Sequence, residues 1–325
     1  MPKKWIRIYN QDCIVGAKNE IKDESVDLII TDPPYGINGK SFDKHYNRDD
    51  KHVLRGYIEV SKEDYPNFTH RWIKQAERVL RPGGSIYIIS GYSQLVHILN
   101  ALQEHSTLEE INHLIWKYNF GVYTKNKYVS SHYHILYYVK KGENKTFNTY
   151  SRYGHTEKDE DFKSENYKDR IDVFEIPRLF KPGKKKVINK LPEELITKLI
   201  QYSSNEGDVV CDFFLGGFST AIVALKLKRK IVGFEESKSI FKYYNKRVTE
   251  ELKGKGINDL RVPDTAFPVN QGKKWDEGDI ENLLKLYDDL YPEKYGKLAS
   301  IKIIMEEMGR GYFSILNALK KYANY

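Results

Sequence analysis

An apolar run passes directly into a proline turn where residues 26–36 read VDLIITDPPYG. The run at 26–31 predicts a buried strand, because apolar side chains fill most of its positions. Ligands of a parallel sheet bind beyond the carboxyl ends of its strands, and residues 32–35 occupy that position. The two prolines have no backbone N–H group and a fixed φ, so the turn is stiff. We therefore expect the carbonyl groups of Asp32 and Pro33 to face outward as hydrogen-bond acceptors.

The turn offers three groups that suit a planar ring bearing an exocyclic amino group. The Asp32 carboxylate and the Pro33 carbonyl would accept the two N–H bonds of the amine, and Tyr35 would stack on the ring. Pro34 would keep the turn rigid. We therefore predict that Asp32, Pro33, Pro34 and Tyr35 are catalytic residues. The alternative is a surface turn without a ligand, which the position of the turn directly after a strand disfavours.

A second strand ends in a glycine pair at residues 209–220, which read VVCDFFLGGFST. The pattern predicts a strand, then the Gly216-Gly217 turn where a ligand can approach the backbone, then a helix capped by Ser219-Thr220. Glu235 follows about 20 residues later at the end of the next strand, from which a carboxylate can bind ribose hydroxyls. Glycine turns between a strand and a helix are common, so this pattern alone is a weak fingerprint.

Further elements alternate along the chain in the manner of a layered fold. Apolar runs predict additional strands at residues 6–9, 85–90, 113–117, 134–140 and 231–235. Helical periodicity is present at 68–80, before Pro82-Gly83-Gly84, and at 191–200. Strands that alternate with helices predict an α/β architecture with a largely parallel sheet.

Composition narrows the class of protein. The chain has 325 residues, enough for two domains, and a net charge of +8 that suits a polyanionic partner. No apolar run is long enough to span a membrane, and the N-terminus lacks the apolar core of a signal peptide. The two cysteines, Cys13 and Cys211, have neither disulfide nor zinc spacing. We therefore expect a cytoplasmic protein without a metal site.

Together, the two motifs resemble those of DNA methyltransferases that move a methyl group from S-adenosylmethionine to an amino group. Residues 32–35 resemble the catalytic motif of that family, and 212–220 resemble its cofactor loop. Because the catalytic motif comes first, the order is similar to that of the permuted β group. The resemblance covers about residues 5–250. It implies a Rossmann-like methyltransferase fold, S-adenosyl-L-methionine as cofactor and double-stranded DNA as substrate.

Shorter segments agree with the resemblance and imply the cofactor contacts. Residues 10–13, 78–84, 115–119 and 190–192 are similar to further family motifs, the third of them near the target base. The implied cofactor-binding residues are Asp12, Cys13, Lys190, Asp212, Phe214, Gly216, Gly217, Ser219, Thr220 and Glu235. Phe213 stands where the family commonly has Pro, and Phe218 where it commonly has Gly. We expect Phe218 to narrow the cofactor cleft or to cover the methionine end of the cofactor.

The resemblance also divides the chain. Residues 1–255 form the predicted methyltransferase domain, with a catalytic half at 1–140, a target-recognition insert at about 141–180 and a cofactor half at 181–255. Residues 256–325 form a predicted helical C-terminal module, either a helix-turn-helix DNA reader or a packing module. Basic side chains in two polar segments are predicted DNA contacts: Lys40, Lys44, Arg48, Lys184, Lys185 and Lys186.

The sequence predicts an adenine-specific enzyme. Asp32 favours the N6 of adenine, since the N4-cytosine enzymes of the resembled family more often carry Ser at this position. N4-cytosine methylation is the first alternative, and a non-catalytic DNA-binding protein on the same fold is the second. The target amine lies inside the duplex, so the base has to be flipped out. We expect a site-specific methyltransferase of a restriction-modification system, monomeric or homodimeric, with a cognate restriction endonuclease as a candidate partner.

Overall fold

The computed structural model describes residues 5–35, 60–119, 121, 123–161, 163–178, 190–251 and 268–323. The chain divides into two compact units, one of Met1–Thr149 with Ile171–Leu260 and one of Tyr150–Arg170 with Arg261–Tyr325. The second unit thus combines part of the predicted target-recognition insert with the C-terminal helices. The domain functions assigned from the sequence stay predictions. None of the described helices is long and apolar enough to cross a membrane.

The first unit contains an eight-stranded sheet. Its strands are β1 (Ile6–Tyr9), β2 (Val26–Thr31), β3 (Leu80–Ser90), β4 (Leu108–Lys117), β5 (His132–Lys140), β6 (Val173–Glu175), β7 (Val209–Asp212) and β8 (Lys230–Phe234). The spatial order is β1-β8-β7-β2-β3-β5-β4-β6, and among the described strands β5 alone runs antiparallel to its neighbours. The predicted α/β class with a mostly parallel sheet is confirmed.

Helices cover both faces of this sheet. In chain order the helices are α1 (Cys13–Glu20), α2 (Tyr65–Val79), α3 (Tyr92–Gln103), α4 (Glu165–Asp169), α5 (Glu193–Ser203), α6 (Ser219–Lys226), α7 (Lys238–Glu251), α8 (Glu277–Leu290), α9 (Lys297–Met308) and α10 (Tyr312–Tyr322). Leu28 and Ile30 of β2 pack with α5, α6 and α7, whereas Ile29 packs with α1, α2 and α3. A strand buried on both faces needs apolar residues at successive positions, which explains the apolar run at 26–31.

The second unit has a small core of its own among α8, α9 and α10. Arg310, in the turn between α9 and α10, is 2% exposed. Its guanidinium lies 4.2 Å from the centroid of the Trp275 ring and donates to the carbonyls of Lys273 over 2.8 Å and Lys274 over 3.2 Å. The turn is therefore tied to the segment that precedes α8. The helix-turn-helix interpretation concerns the function of this unit and stays a prediction.

The beginning of α6 differs from the sequence-based expectation. Ser219 and Thr220 are predicted as caps, but Phe218 is the N-cap residue, with a left-handed φ of 59°. The Ser219 hydroxyl instead donates to the Leu191 carbonyl over 2.8 Å. Phe218 is fully buried and stacks on Tyr244 of α7, with the ring centroids 5.7 Å apart. Because the ring belongs to the core, the expectation that Phe218 narrows or covers a cofactor cleft is wrong.

We expect Phe218→Gly to lower the free energy of unfolding by about 2 kcal/mol. The cavity left by a deleted Phe costs roughly 3–5 kcal/mol, and relief of the left-handed backbone offsets about 1–2 kcal/mol of this. Lys228 is the matched control, because it is exposed, has a φ of 60° and follows the other end of α6. Lys228→Gly should leave stability unchanged or raise it by up to about 1 kcal/mol. Equal losses for both variants in urea unfolding would contradict this account.

Candidate active site

The two sequence motifs lie next to each other at the carboxyl edge of the sheet. β2 and β7 are parallel neighbours, with Ile29 opposite Cys211. The hydroxyl of Thr31, at the end of β2, donates to the Asp212 carboxylate at the end of β7 over 3.0 Å. Both side chains are buried, so water competes little for this contact. It joins the proline turn to the glycine turn across 181 positions of sequence.

The residues around this contact line one cleft. Of the predicted catalytic residues, Asp32, Pro34 and Tyr35 line it, whereas Pro33 is buried beneath them. The predicted cofactor residues line it as a set: Asp12, Cys13, Lys190, Asp212, Phe214, Gly216, Gly217, Ser219, Thr220 and Glu235. The predicted DNA contacts Lys40, Lys44, Arg48, Lys184, Lys185 and Lys186 lie outside the described residues. The structure thus brings both motifs together, while the roles of their residues stay predictions.

Part of the cleft wall was not foreseen from the sequence. Phe68 of α2 and Val60, which precedes that helix, both line the cleft. The Phe68 ring packs on Phe214, with 5.9 Å between the ring centroids. An apolar helical pattern predicts burial but does not distinguish a residue that faces the core from one that faces a ligand. No signal in a single sequence therefore identifies Phe68 as a cleft residue.

The proline turn holds its carboxylate and its aromatic ring in contact. The Tyr35 hydroxyl donates to the Asp32 carboxylate over 3.1 Å, and both residues are half-buried. The Tyr35 ring lies 6.2 Å from the ring of Tyr133 in β5. The acceptor and the ring that the sequence-based mechanism needs are thus fixed relative to each other.

The glycine turn depends on a close approach of the chain. A Cβ atom on Gly217 would lie 2.9 Å from Cγ of Lys190, so the aliphatic stem of Lys190 leaves no room for a side chain there. Gly216 has a left-handed φ of +44°, which favours glycine. Its N–H group donates to the Glu235 carboxylate over 2.9 Å. The turn therefore presents a backbone amide to the end of the neighbouring strand β8.

Glu235 is held at the end of β8 by backbone amides. Its carboxylate accepts from the N–H groups of Gly216 over 2.9 Å and Ser237 over 2.8 Å, one at each oxygen. Burial raises the pKa of Glu235 to about 7, the two amides oppose this shift, and the charges of Asp212 and Glu236 reinforce it. A carboxylate oxygen accepts more than one hydrogen bond. Glu235 therefore keeps acceptor capacity for a ligand in the cleft.

Asp212 is the second perturbed carboxylate of the cleft. Burial raises its pKa to about 6. The Phe214 amide, which donates over 3.0 Å, and the hydroxyls of Thr220 and Thr31 oppose this shift. These three donors stabilise the ionised form, so Asp212 serves as the fixed acceptor that organises the turn around it.

The cysteine in the cleft is not poised for nucleophilic attack. Cys13 is 5% exposed, and burial, together with the charges of Asp12 and Glu236, raises the pKa of its thiol well above the ordinary value. The thiolate is the nucleophilic form of cysteine. Covalent chemistry of the kind needed at C5 of cytosine is therefore disfavoured, and the acceptors of the proline turn are the reactive feature of the cleft.

The sequence is similar to those of known methyltransferases. It is 31% identical over 246 residues to the type II methyltransferase M.BamHI of Bacillus amyloliquefaciens, which covers 70% of this chain and 54% of that protein. It is 32% identical over 243 residues to the DNA adenine methyltransferase YhdJ of Escherichia coli strain K12, which covers 70% of this chain and 77% of that protein. The chain thus spans about half the length of M.BamHI.

The fold is shared with a solved DNA modification methylase, TTHA0409 from Thermus thermophilus, whose structure contains S-adenosyl-L-methionine. The two have a TM-score of 0.55 at 21% identity, over 80% of this chain and 98% of that one. A DNA methylase family model for N6 and N4 enzymes matches residues 26–246, about two thirds of the chain. With this match, the similarity to YhdJ and the two motifs on one cleft, the chain belongs to the DNA methylase family of N6 and N4 amino-methyltransferases.

Proposed function

We propose that this chain is a site-specific DNA methyltransferase that transfers a methyl group from S-adenosylmethionine to the exocyclic N6 of an adenine in duplex DNA. The contact between Thr31 and Asp212 carries the proposal, because it places the proline turn and the glycine turn on the same cleft. Membership of an S-adenosylmethionine-dependent family of DNA methylases supports both the cofactor and the substrate.

The described residues of the cleft fit this cofactor. Glu235 keeps acceptor capacity for ribose hydroxyls, and Phe214 and Phe68 offer apolar surface beside it. Asp12 caps α1 through one oxygen, which accepts from the Val15 amide over 2.8 Å, and its other oxygen remains as a further acceptor at the cleft. When bound, S-adenosylmethionine supplies an electrophilic methyl group on a sulfonium sulfur.

The proline turn would activate the amine. The lone pair of adenine N6 is delocalised into the ring, so the free amine is a poor nucleophile. The Asp32 carboxylate and the Pro33 carbonyl would accept its two N–H bonds, which makes the nitrogen more tetrahedral and directs its lone pair at the methyl carbon. As the C–N bond forms, Asp32 would accept the proton that N6 releases. The mechanism requires no covalent bond between the enzyme and the base.

The target base would enter the cleft by leaving the duplex. Flipping costs a few kcal/mol, and stacking on an aromatic side chain recovers about 1–3 kcal/mol per base. Tyr35 is the ring available for this stacking in the proline turn. The net charge of +8 supports binding to the DNA backbone, with Lys40, Lys44, Arg48, Lys184, Lys185 and Lys186 as the proposed contacts.

Adenine is the favoured base, and N4 of cytosine is the alternative within the same family. Asp32 supports adenine through the family resemblance, and the relative YhdJ is a DNA adenine methyltransferase. Similarity to the type II methyltransferase M.BamHI supports a restriction-modification setting, in which a cognate endonuclease would be the partner, and a cytoplasmic location.

The product of the reaction tests the proposal. Duplex DNA incubated with the protein and methyl-labelled S-adenosylmethionine should acquire label, because the cleft unites both motifs. Mass spectrometry of the nucleosides should show N6-methyladenine, and base-resolved mapping should place it in one sequence context. N4-methylcytosine as the product would select the alternative base. Specific DNA binding without any transfer would select the non-catalytic alternative.

Asp32→Ala should reduce methyl transfer by a factor of about 10²–10⁴ or more, since it removes a proton acceptor from the transition state. The dissociation constant for the cofactor should stay unchanged, because Glu235 and the glycine turn are intact. Asp289→Ala, at an exposed position of α8, is the control and should keep full activity. Transfer that survives in Asp32→Ala while cofactor binding is lost would reverse the assignment of the two turns.

Cofactor affinity should depend on pH, because burial raises the pKa of Glu235 to about 7. The ionised carboxylate is the stronger acceptor for hydroxyl donors, so affinity should rise as the pH increases through this value and fall below it. Glu235→Gln should bind more weakly and lose this dependence. Equilibrium binding on both sides of that pH checks the difference between the two proteins. Identical pH profiles would remove Glu235 from the ribose role.

A further inference from the structure

Three aromatic rings and one arginine form a cluster beside the proline turn. We call this cluster the arginine cage and define it as Trp116, Tyr118, Tyr133 and Arg178. The guanidinium carbon of Arg178 lies 4.2 Å from the centroid of the Tyr118 ring, 4.9 Å from that of Tyr133 and 5.4 Å from that of Trp116. The rings of Trp116 and Tyr133 stack with centroids 5.7 Å apart. One cation thus contacts three rings that also contact each other.

The sheet fixes the position of Arg178. β6 pairs in parallel with β4, so that Phe174 lies opposite Trp116. The Trp116 indole N–H donates to the Ile176 carbonyl over 2.8 Å, and the Ile176 amide donates to the Lys117 carbonyl over 3.1 Å. Arg178 follows this anchor two residues later. Its contact with the rings is therefore built into the fold rather than being a chance surface encounter.

The electrostatic surroundings of Arg178 favour its charged form. Burial lowers the pKa of Arg178, but the phenol groups of Tyr133, Tyr118 and Tyr35, including a hydrogen bond to Tyr133, more than offset this and raise the pKa above its ordinary value. A cation over an aromatic face is attracted by the ring quadrupole, most strongly where water is excluded. The guanidinium therefore holds the Tyr133 ring both at its face and at its hydroxyl.

Two contacts connect the cage to the proposed catalytic carboxylate. The Tyr133 ring lies 6.2 Å from the Tyr35 ring, and the Tyr35 hydroxyl donates to Asp32 over 3.1 Å. A change in the position of Tyr133 therefore changes the support of Tyr35 and, with it, the orientation of the Asp32 carboxylate. Methyl transfer is sensitive to such changes, because in-line attack needs closely defined geometry.

We propose that Arg178 is a positioning residue for methyl transfer, which holds the Tyr133 ring so that Tyr35 and Asp32 are aligned with the flipped base. This inference rests on the function proposed above and extends it to a residue outside both motifs. Arg178 takes part in no bond-making step. Its planar guanidinium matches the ring faces and the phenol together, which an ammonium group cannot do equally well.

Arg178→Met tests the inference, because Met fills similar space without a charge. Arg247→Met is the matched control. The Arg247 guanidinium lies 5.2 Å from the centroid of the Tyr243 ring and donates to its hydroxyl over 2.6 Å, but both residues belong to α7. The measurements are the single-turnover rate of transfer, the dissociation constant for S-adenosylmethionine, the thermal midpoint, and the fluorescence of 2-aminopurine at the target position.

We expect Arg178→Met to slow single-turnover transfer about 10- to 30-fold, the factor that corresponds to loss of one desolvated cation–π contact. Arg178→Lys should recover part of the rate. Cofactor affinity should be unchanged, and 2-aminopurine should still become fluorescent, because the base is flipped but poorly aligned. Arg247→Met should behave like the wild type. In a Tyr133→Leu background, Arg178→Met should have little further effect, since Arg178 acts through Tyr133.

Unchanged rates in Arg178→Met, or a full additional loss in the Tyr133→Leu background, would overturn the inference. Weaker DNA binding with a salt slope smaller by about one, at an unchanged rate, would identify a phosphate contact and overturn it as well. If Arg178→Met lowers the thermal midpoint, Tyr133→Phe decides: it keeps both side chains packed and removes only the phenol, so an unchanged rate contradicts the inference. An inactive wild type would instead overturn the proposed function itself.

Discussion

The hydrogen bond from Thr31 to Asp212 is the contact on which the arrangement of the cleft depends. Neighbouring parallel strands end at the same edge of a sheet whatever their order in the chain, so a motif early in the sequence and one late in it can share a wall. The buried Asp212 carboxylate makes this proximity specific, because a buried acceptor without donors costs about 1–3 kcal/mol or more. Thr31 from one turn and the Phe214 amide from the other meet that requirement together.

Burial also determines the chemistry of the two turns. It raises the pKa of Glu235 to about 7 and that of Asp212 to about 6, and backbone amides oppose both shifts. The result is a wall of oriented acceptors for a ligand rich in hydroxyl and amino donors. On the other side of the turn at Asp32, ring contacts rather than hydrogen bonds set the geometry, from Tyr35 through Tyr133 to Arg178. The cleft is thus polar where the cofactor is proposed to bind and aromatic where the base is proposed to bind.

Local patterns explain why so much was predictable from the sequence. The apolar run of β2 and the turn after it are encoded within residues 26–36, and the glycine turn within residues 209–220. Three features depend instead on partners distant in sequence. The left-handed cap at Phe218 is stabilised by Tyr244, the three-residue strand β6 exists through its pairing with β4, and Arg178 meets rings from two separate strands and the segment after β4. Propensity and periodicity carry no information about such contacts.

The central claim is that one cleft holds the methyl donor against the glycine turn and the target amine against the proline turn. A crystal structure of the protein with sinefungin, an unreactive analogue of the cofactor, and duplex DNA containing the mapped site tests it most directly. The account predicts an extruded base whose exocyclic nitrogen lies about 2.6–3.2 Å from an oxygen of Asp32, with the analogue's ribose at Glu235. An analogue bound elsewhere, or a base whose amine contacts neither Asp32 nor Pro33, would contradict it.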